Sequence, residues 1–196
     1  MSYPWNNEKQ LDTLKVSGDN NVLVFESEKE RADVYLENGD IARVVCKAGG
    51  AASVIERTAR YHIVVGEGNA QRDVFHYLKP GGPAPTLRLG ITKHRGYGTW
   101  SSLPHPFELS PEKGFEEVFF YILGASPDII RGIPERAFQV GRGVWFDGSA
   151  VDGVWPVADH SWCTIPMGYH PVVGEPGVNV SYVWAYLAKK KAWEKV

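Results

Sequence analysis

The stretch "TIPMGYHPVV", residues 164–173, closes an apolar run with two prolines, a glycine and a histidine. Proline cannot donate to a sheet ladder, and glycine reaches backbone conformations closed to other residues, so Pro166 and Gly168 mark a sharp strand end. An imidazole set directly behind such a turn is expected to point back toward the strands rather than out from an open surface. What those strands enclose therefore decides the reading of the chain.

Working outward, short apolar runs bounded by Gly, Pro, Asn or Asp recur along the whole sequence. "NNVLVFES", "ADVYLEN", "IARVVCKA", "ASVIERTARYHIVVG", "DVFHYL", "PTLRLGIT", "EEVFFYILG", "RAFQVG", "GVWFDG" and "SWCTIPMG" all read as strands. In "ADVYLEN", Val34 and Leu36 alternate with outward residues, and the "NG" of "ENGD" (37–40) is the strongest hairpin signal present. "LSPEKGFEE" allows one helical turn after Ser110, and "YVWAYLAKKKAWEKV" reads as a strand finishing in a short helix. This spacing of short strands implies an all-β sandwich or closed barrel. The Gly- and Pro-rich "KPGGPAP" (79–85) is the expected joint, dividing the chain into residues 1–90 and 91–196.

The 196 residues are 43% hydrophobic and 22% charged, the balance of an ordinary globule. A net charge of -2 gives no electrostatic reason to expect nucleic acid or an anionic membrane as partner, and "KKK" at 189–191 reads as a solvated tail. Two distant cysteines, Cys46 and Cys163, make no disulfide framework, and no apolar run approaches membrane-spanning length. A soluble cytoplasmic protein is expected. Gly-rich phosphate loops, Cys-x-x-Cys pairs and Gly-x-Ser-x-Gly elbows are missing from the sequence.

Small β-barrels collect inward side chains from several strands at one mouth, and a metal site there needs imidazoles and a carboxylate aimed alike. His105, in "SSLPHPFE", Glu117, opening "EVFFYIL", and His170 suit that role. A carboxylate buried at the head of an apolar strand is costly unless it is paired or bound to a cation. Two imidazoles and a carboxylate suit Zn, Mn, Fe or Ni with positions left for a substrate. His62, His76 and His94 read as structural, and His160 as an exposed turn residue.

The back half resembles the cupin isomerases that act on 5-deoxyglucuronate and 4-deoxy-5-keto-uronates. The resemblance rests on "GTWSSLPH" (98–105), "FEEVFFYIL" (115–123), "RAFQV" (136–140) and "IPMGYHPVVGEPGVNVSYVWA" (165–185). It implies a cupin fold, a double-stranded β-helix or jelly-roll barrel, with a shortened N-terminal β half packed on a C-terminal metal barrel. It also implies a divalent cation held by His105, Glu117 and His170, with Phe107 standing where the family has a second histidine. The reaction implied is an aldose–ketose interconversion of a deoxy sugar acid, in carbohydrate and inositol catabolism. Exposed barrel edges and the apolar C-terminal strand lead to the expectation of a homodimer. Glu108, Glu135 and Tyr169 are the candidate general bases, and Arg136 the candidate partner of the substrate carboxylate. A non-catalytic sugar-binding cupin and a metal cupin of other chemistry, such as a non-haem iron oxygenase, are the alternative readings.

Overall fold

A strand buried on both faces reads as an unbroken apolar run rather than an alternating one, and "EVFFYIL" is such a run. It forms β10 (Glu117–Ala125), and its position explains the pattern. The computed structural model describes residues 3–19, 21–101, 115–126 and 136–188. In it β10 lies in a six-stranded antiparallel sheet covered on each side by another sheet.

The front sheet is a simple meander of β1 (Lys15–Asp19), β2 (Val22–Glu26), β3 (Glu30–Glu37), β4 (Asp40–Ala48) and β5 (Ala51–Glu56), paired in chain order. The expected hairpin at "ENGD" joins β3 to β4. Asn38 and Gly39 both adopt left-handed backbone, with φ of 52° and 69°, as the turn that matches strand twist requires.

The central sheet takes β6 (Tyr61–Val65), β7 (Arg72–Leu78), β8 (Leu87–His94), β10, β13 (Ser161–Ile165) and β16 (Val178–Leu187), in the order β13-β10-β16-β8-β7-β6. The back sheet runs β12 (Ala150–Val157), β11 (Ala137–Val144), β15 (Val172–Gly174) and β9 (Trp100–Ser101), with β14 (Met167–Tyr169) also paired to β11.

Alternation along the central strands sorts two cores. Phe120, Leu89, Ile91 and Val183 face the front sheet and meet Leu23, Phe25, Val34 and Ile41. Phe119, Tyr121 and Tyr182 face the back sheet and meet Ala137, Val157 and Val172. Each fully buried Phe or Leu contributes roughly 1.5–3 kcal/mol relative to exposure. Buried carboxylates fasten the front layer. Glu30 accepts the Thr86 and Leu87 amides at 2.8 and 3.1 Å, and Glu116 accepts those of Thr13 and Leu14 at 2.8–2.9 Å.

Several expectations change. "ASVIERTARYHIVVG" is not one strand: it breaks at a 3-10 turn, Arg57–Ala59, where the chain leaves the front sheet for the central one. "GVWFDG" is the end of β11 and a turn, in which the Gly148 amide donates to the Trp145 carbonyl at 2.8 Å. "KPGGPAP" is a hairpin loop between β7 and β8, adjacent strands of one sheet, and residue 90 lies inside β8. The strand β12 was not anticipated. The helical turn expected after Ser110 and the C-terminal helix lie outside the described residues. Among the described residues no helix is long and apolar enough to cross a membrane.

Candidate active site

The inner face of the central sheet lines a cavity of about 540 Å³. Alternate residues deliver its walls: Arg72, Val74, His76 and Leu78 from β7, Arg88 and Thr92 from β8, Glu117 and Phe119 from β10, and Tyr182, Trp184 and Tyr186 from β16. His170 joins them from the turn between β14 and β15. Residues 53 positions apart in the sequence, Glu117 and His170, thus line one cavity, and both are almost wholly buried.

Glu117 differs from its neighbour by one step along a pleated strand. Glu116 turns to the front and is saturated by main-chain amides, whereas Glu117 turns inward to the cavity. The Trp184 ring crosses β8 over Gly90, where a Cβ would stand 2.4 Å from the indole. Phe119 and Tyr182 stack at 4.4 Å beside it, so the cavity floor is aromatic.

His170 is aimed by the stretch that opened the analysis. Gly168 adopts φ of +117°, and a Cβ there would stand 2.6 Å from the Arg142 carbonyl oxygen across the β11–β14 pairing. The His170 Nδ1–H donates to the Gly168 carbonyl at 2.8 Å. A carbonyl only accepts, so Nδ1 carries the proton and the lone pair of the neutral ring sits on Nε2. Behind it, the fully buried Gln139 donates Nε2–H to the His170 carbonyl at 2.8 Å and accepts from the Tyr121 hydroxyl at 2.7 Å. Burial pushes the Tyr121 hydroxyl well above the ordinary phenol range, which keeps it a donor. Burial likewise pushes the Cys163 thiol up to about 12, leaving it inert at neutral pH.

The imidazole nitrogen and carboxylate oxygen brought together here are the donor types a borderline divalent cation takes. Among the described residues no cluster of three or more His, Cys, Asp or Glu suited to a metal forms. His105, Phe107, Glu108 and Glu135 lie outside the described residues. Tyr169 is half-buried on β14, opposite Arg142 in register, and does not line the cavity. Arg136 stands just before β11, half-exposed, with its guanidinium 3.1 Å from Glu175; it too lies off the cavity wall. His62 is exposed and bonded to Asp73, His94 is buried against Thr99, and His160 sits in the β12–β13 turn beside Asp159. His76, read as structural, faces the cavity edge-on to Trp184, and Arg72 and Arg88 were not anticipated there. Arg72 and His76 share the period-2 face of "RDVFHYL", a pattern that does not by itself tell a cavity-facing side from a solvent-facing one.

Facing antiparallel β-sheets with an inward cavity place the fold among the cupin class of barrels. The chain belongs to the KduI/IolB family, which it matches over residues 8–196. It is 28% identical over 133 residues to the 5-deoxy-glucuronate isomerase of Halalkalibacterium halodurans, covering 66% of this chain and 46% of that protein. To the enzyme of the same name from Geobacillus kaustophilus it is 27% identical over 163 residues, covering 79% and 55%. The chain therefore spans about half the length of the curated relatives it matches. An IolB-like protein from Salmonella typhimurium shares the fold, with a TM-score of 0.55 at 16% identity over 97% of this chain and 75% of that one.

Proposed function

We propose that the chain is a sugar-acid isomerase that interconverts the aldose and ketose forms of a deoxy-uronate of the 5-deoxyglucuronate kind. The observation that carries this reading is the shared cavity of Glu117 and His170, with the His170 tautomer fixed by Gly168. The names of the curated relatives support the substrate class.

Glu117 and His170, together with His105, would hold a divalent cation (Zn, Mn, Fe or Ni). Bound there, it would supply Lewis acidity toward a substrate carbonyl and its neighbouring hydroxyl. The chain's own residues do the rest. The aromatic floor of Phe119, Tyr182 and Trp184 excludes water and seats the sugar carbons. The reaction then breaks the C–H bond on the hydroxyl-bearing carbon beside the carbonyl and forms one on the former carbonyl carbon, with the hydroxyl proton passing in the same direction to the former carbonyl oxygen, so no redox partner is consumed. Glu108 and Glu135 are the proposed carriers of that proton; Tyr169, which does not line the cavity, is set aside.

The test is direct. Protein purified without chelator is analysed for bound metal and incubated with 5-deoxyglucuronate, and the ketose product is followed by NMR. Product formation that chelation abolishes and a divalent cation restores supports the reading; no product with any of the four metals refutes it.

A further inference from the structure

We propose that Arg72 is the residue that binds the carboxylate of the substrate, forming an anion subsite in the same cavity as Glu117 and His170. The inference rests on the isomerase reading for the class of ligand, and on the cavity itself for the site.

The ionisable side chains on the cavity wall, histidines aside, are Arg72, Lys79 and Arg88 against Glu117, three cations to one carboxylate. Such a wall attracts an anion. Arg88 is held to the loop before it, donating to the carbonyls of Ala84, Pro85 and Leu87 at 2.9–3.1 Å, so it contributes field more than reach. Lys79 is exposed, with its ammonium 5.4 Å from the Tyr61 ring. Arg72 is different. Its Nη1 donates to the Ala70 carbonyl at 2.9 Å, and among the described residues no ion pair involves it. The adjacent acid is engaged elsewhere: Asp73 faces the other side of β7, where Arg95 and His62 each approach to 2.7 Å and hold its carboxyl down to about 2.

The Arg72 guanidinium also sits in a made place. Gly66 has φ of +76°, and a Cβ there would stand 2.9 Å from Nη1 and 2.2 Å from the Ala70 carbonyl oxygen. The glycine turn therefore leaves the room the guanidinium and its carbonyl anchor occupy. The fork geometry of a guanidinium matches the two oxygens of a carboxylate. A uronate bound with its carboxylate at Arg72 would have its position in the cavity relative to Glu117 and His170 set by that contact, which fixes which carbons exchange the proton and rejects neutral aldoses.

The experiment measures equilibrium binding of D-glucuronate and D-glucuronamide to the full chain by calorimetry, for wild type, Arg72→Met, Arg72→Lys and Arg136→Met, with folding checked by circular dichroism. Wild type is expected to prefer the carboxylate roughly tenfold or more, the scale of a charge-assisted hydrogen-bonded pair. Arg72→Met loses the preference, Arg72→Lys keeps part of it, and Arg136→Met keeps it. No preference in wild type, or one lost in Arg136→Met and kept in Arg72→Met, overturns the subsite. Turnover of 5-deoxyglucuronate by wild type is scored separately. Turnover with an unaltered preference in Arg72→Met removes the subsite and leaves the isomerase; a lost preference without turnover keeps the subsite and removes the isomerase.

Discussion

The two faces of the central sheet come from the same strands and do opposite work. Toward the front sheet, β8, β10 and β16 present Leu89, Ile91, Phe120 and Val183, and the buried acids there, Glu30 and Glu116, are consumed by main-chain amides. Toward the back sheet the same strands present Arg88, Glu117, Tyr182 and Trp184 around open volume. A buried acid on the first face is part of the framework, while Glu117 on the second face lines the cavity. Sequence neighbours therefore differ more in role than residues a hundred positions apart.

Breaking the front face should give the largest loss. Phe120→Ala is expected to lower stability by roughly 3–5 kcal/mol in urea titration, because it opens a cavity in a closed core. The neighbouring acids separate the faces more sharply. Glu117→Gln should cut isomerase turnover roughly a hundredfold while shifting the thermal midpoint by no more than about 3 °C. Glu116→Ala should destabilise by roughly 1–3 kcal/mol, by stranding the Thr13 and Leu14 amides, and leave turnover per folded molecule unchanged. The opposite pattern in this pair would dissolve the distinction.

A pH titration sharpens it at the end of β8, where His94 is buried against Thr99. Burial first, and the charge of Arg72 second, hold His94 down to about 4 against an ordinary 6.5. The folded state thus disfavours the proton that the unfolded chain accepts. Stability should be fully present above about pH 6.5 and fall as pH drops toward about 4, by at most on the order of 3 kcal/mol. His94→Gln should flatten that window in urea titrations taken across it. The smallest effect is expected at the front hairpin, where Gly39→Ala places a Cβ at φ of 69° and should lose about 1 kcal/mol by the same assay.

Much of this architecture was legible in the chain. The unbroken run "EVFFYIL" marked a buried strand, and "NG" marked the β3–β4 hairpin, because burial and φ > 0 leave direct marks on residue choice. What escaped was set by edges and by partners. β12 carries Asp152, Gly153 and Pro156, which lower strand propensity, yet it lies at a sheet edge where a missing ladder donor is tolerated. "GVWFDG" looked like a strand through its aromatic residues, but Asp147 and Gly148 supply the turn and Trp145 packs on Trp155. At residues 57–59 no glycine or proline marks the passage from one sheet to the next. Within the cavity, Glu117 and His170 stood out as an acid and an imidazole in apolar or turn settings. Arg72 and His76 did not, because an alternating strand with polar residues looks the same whether that face meets water or a cavity.

The placement of β16 has a consequence for how the molecule comes into being. Although it is the last of the described strands, it sits between β10 and β8, with hydrogen bonds to both. As the polypeptide leaves the ribosome, the front meander can zip up from local neighbours, but β8 and β10 must wait with open edges until residues 178–187 emerge. The nascent chain is then most prone to stick to its own kind, since an unpaired edge invites another strand. The cavity acquires its Tyr182–Trp184–Tyr186 wall in that closing event, so the chemistry becomes available only once the fold has sealed.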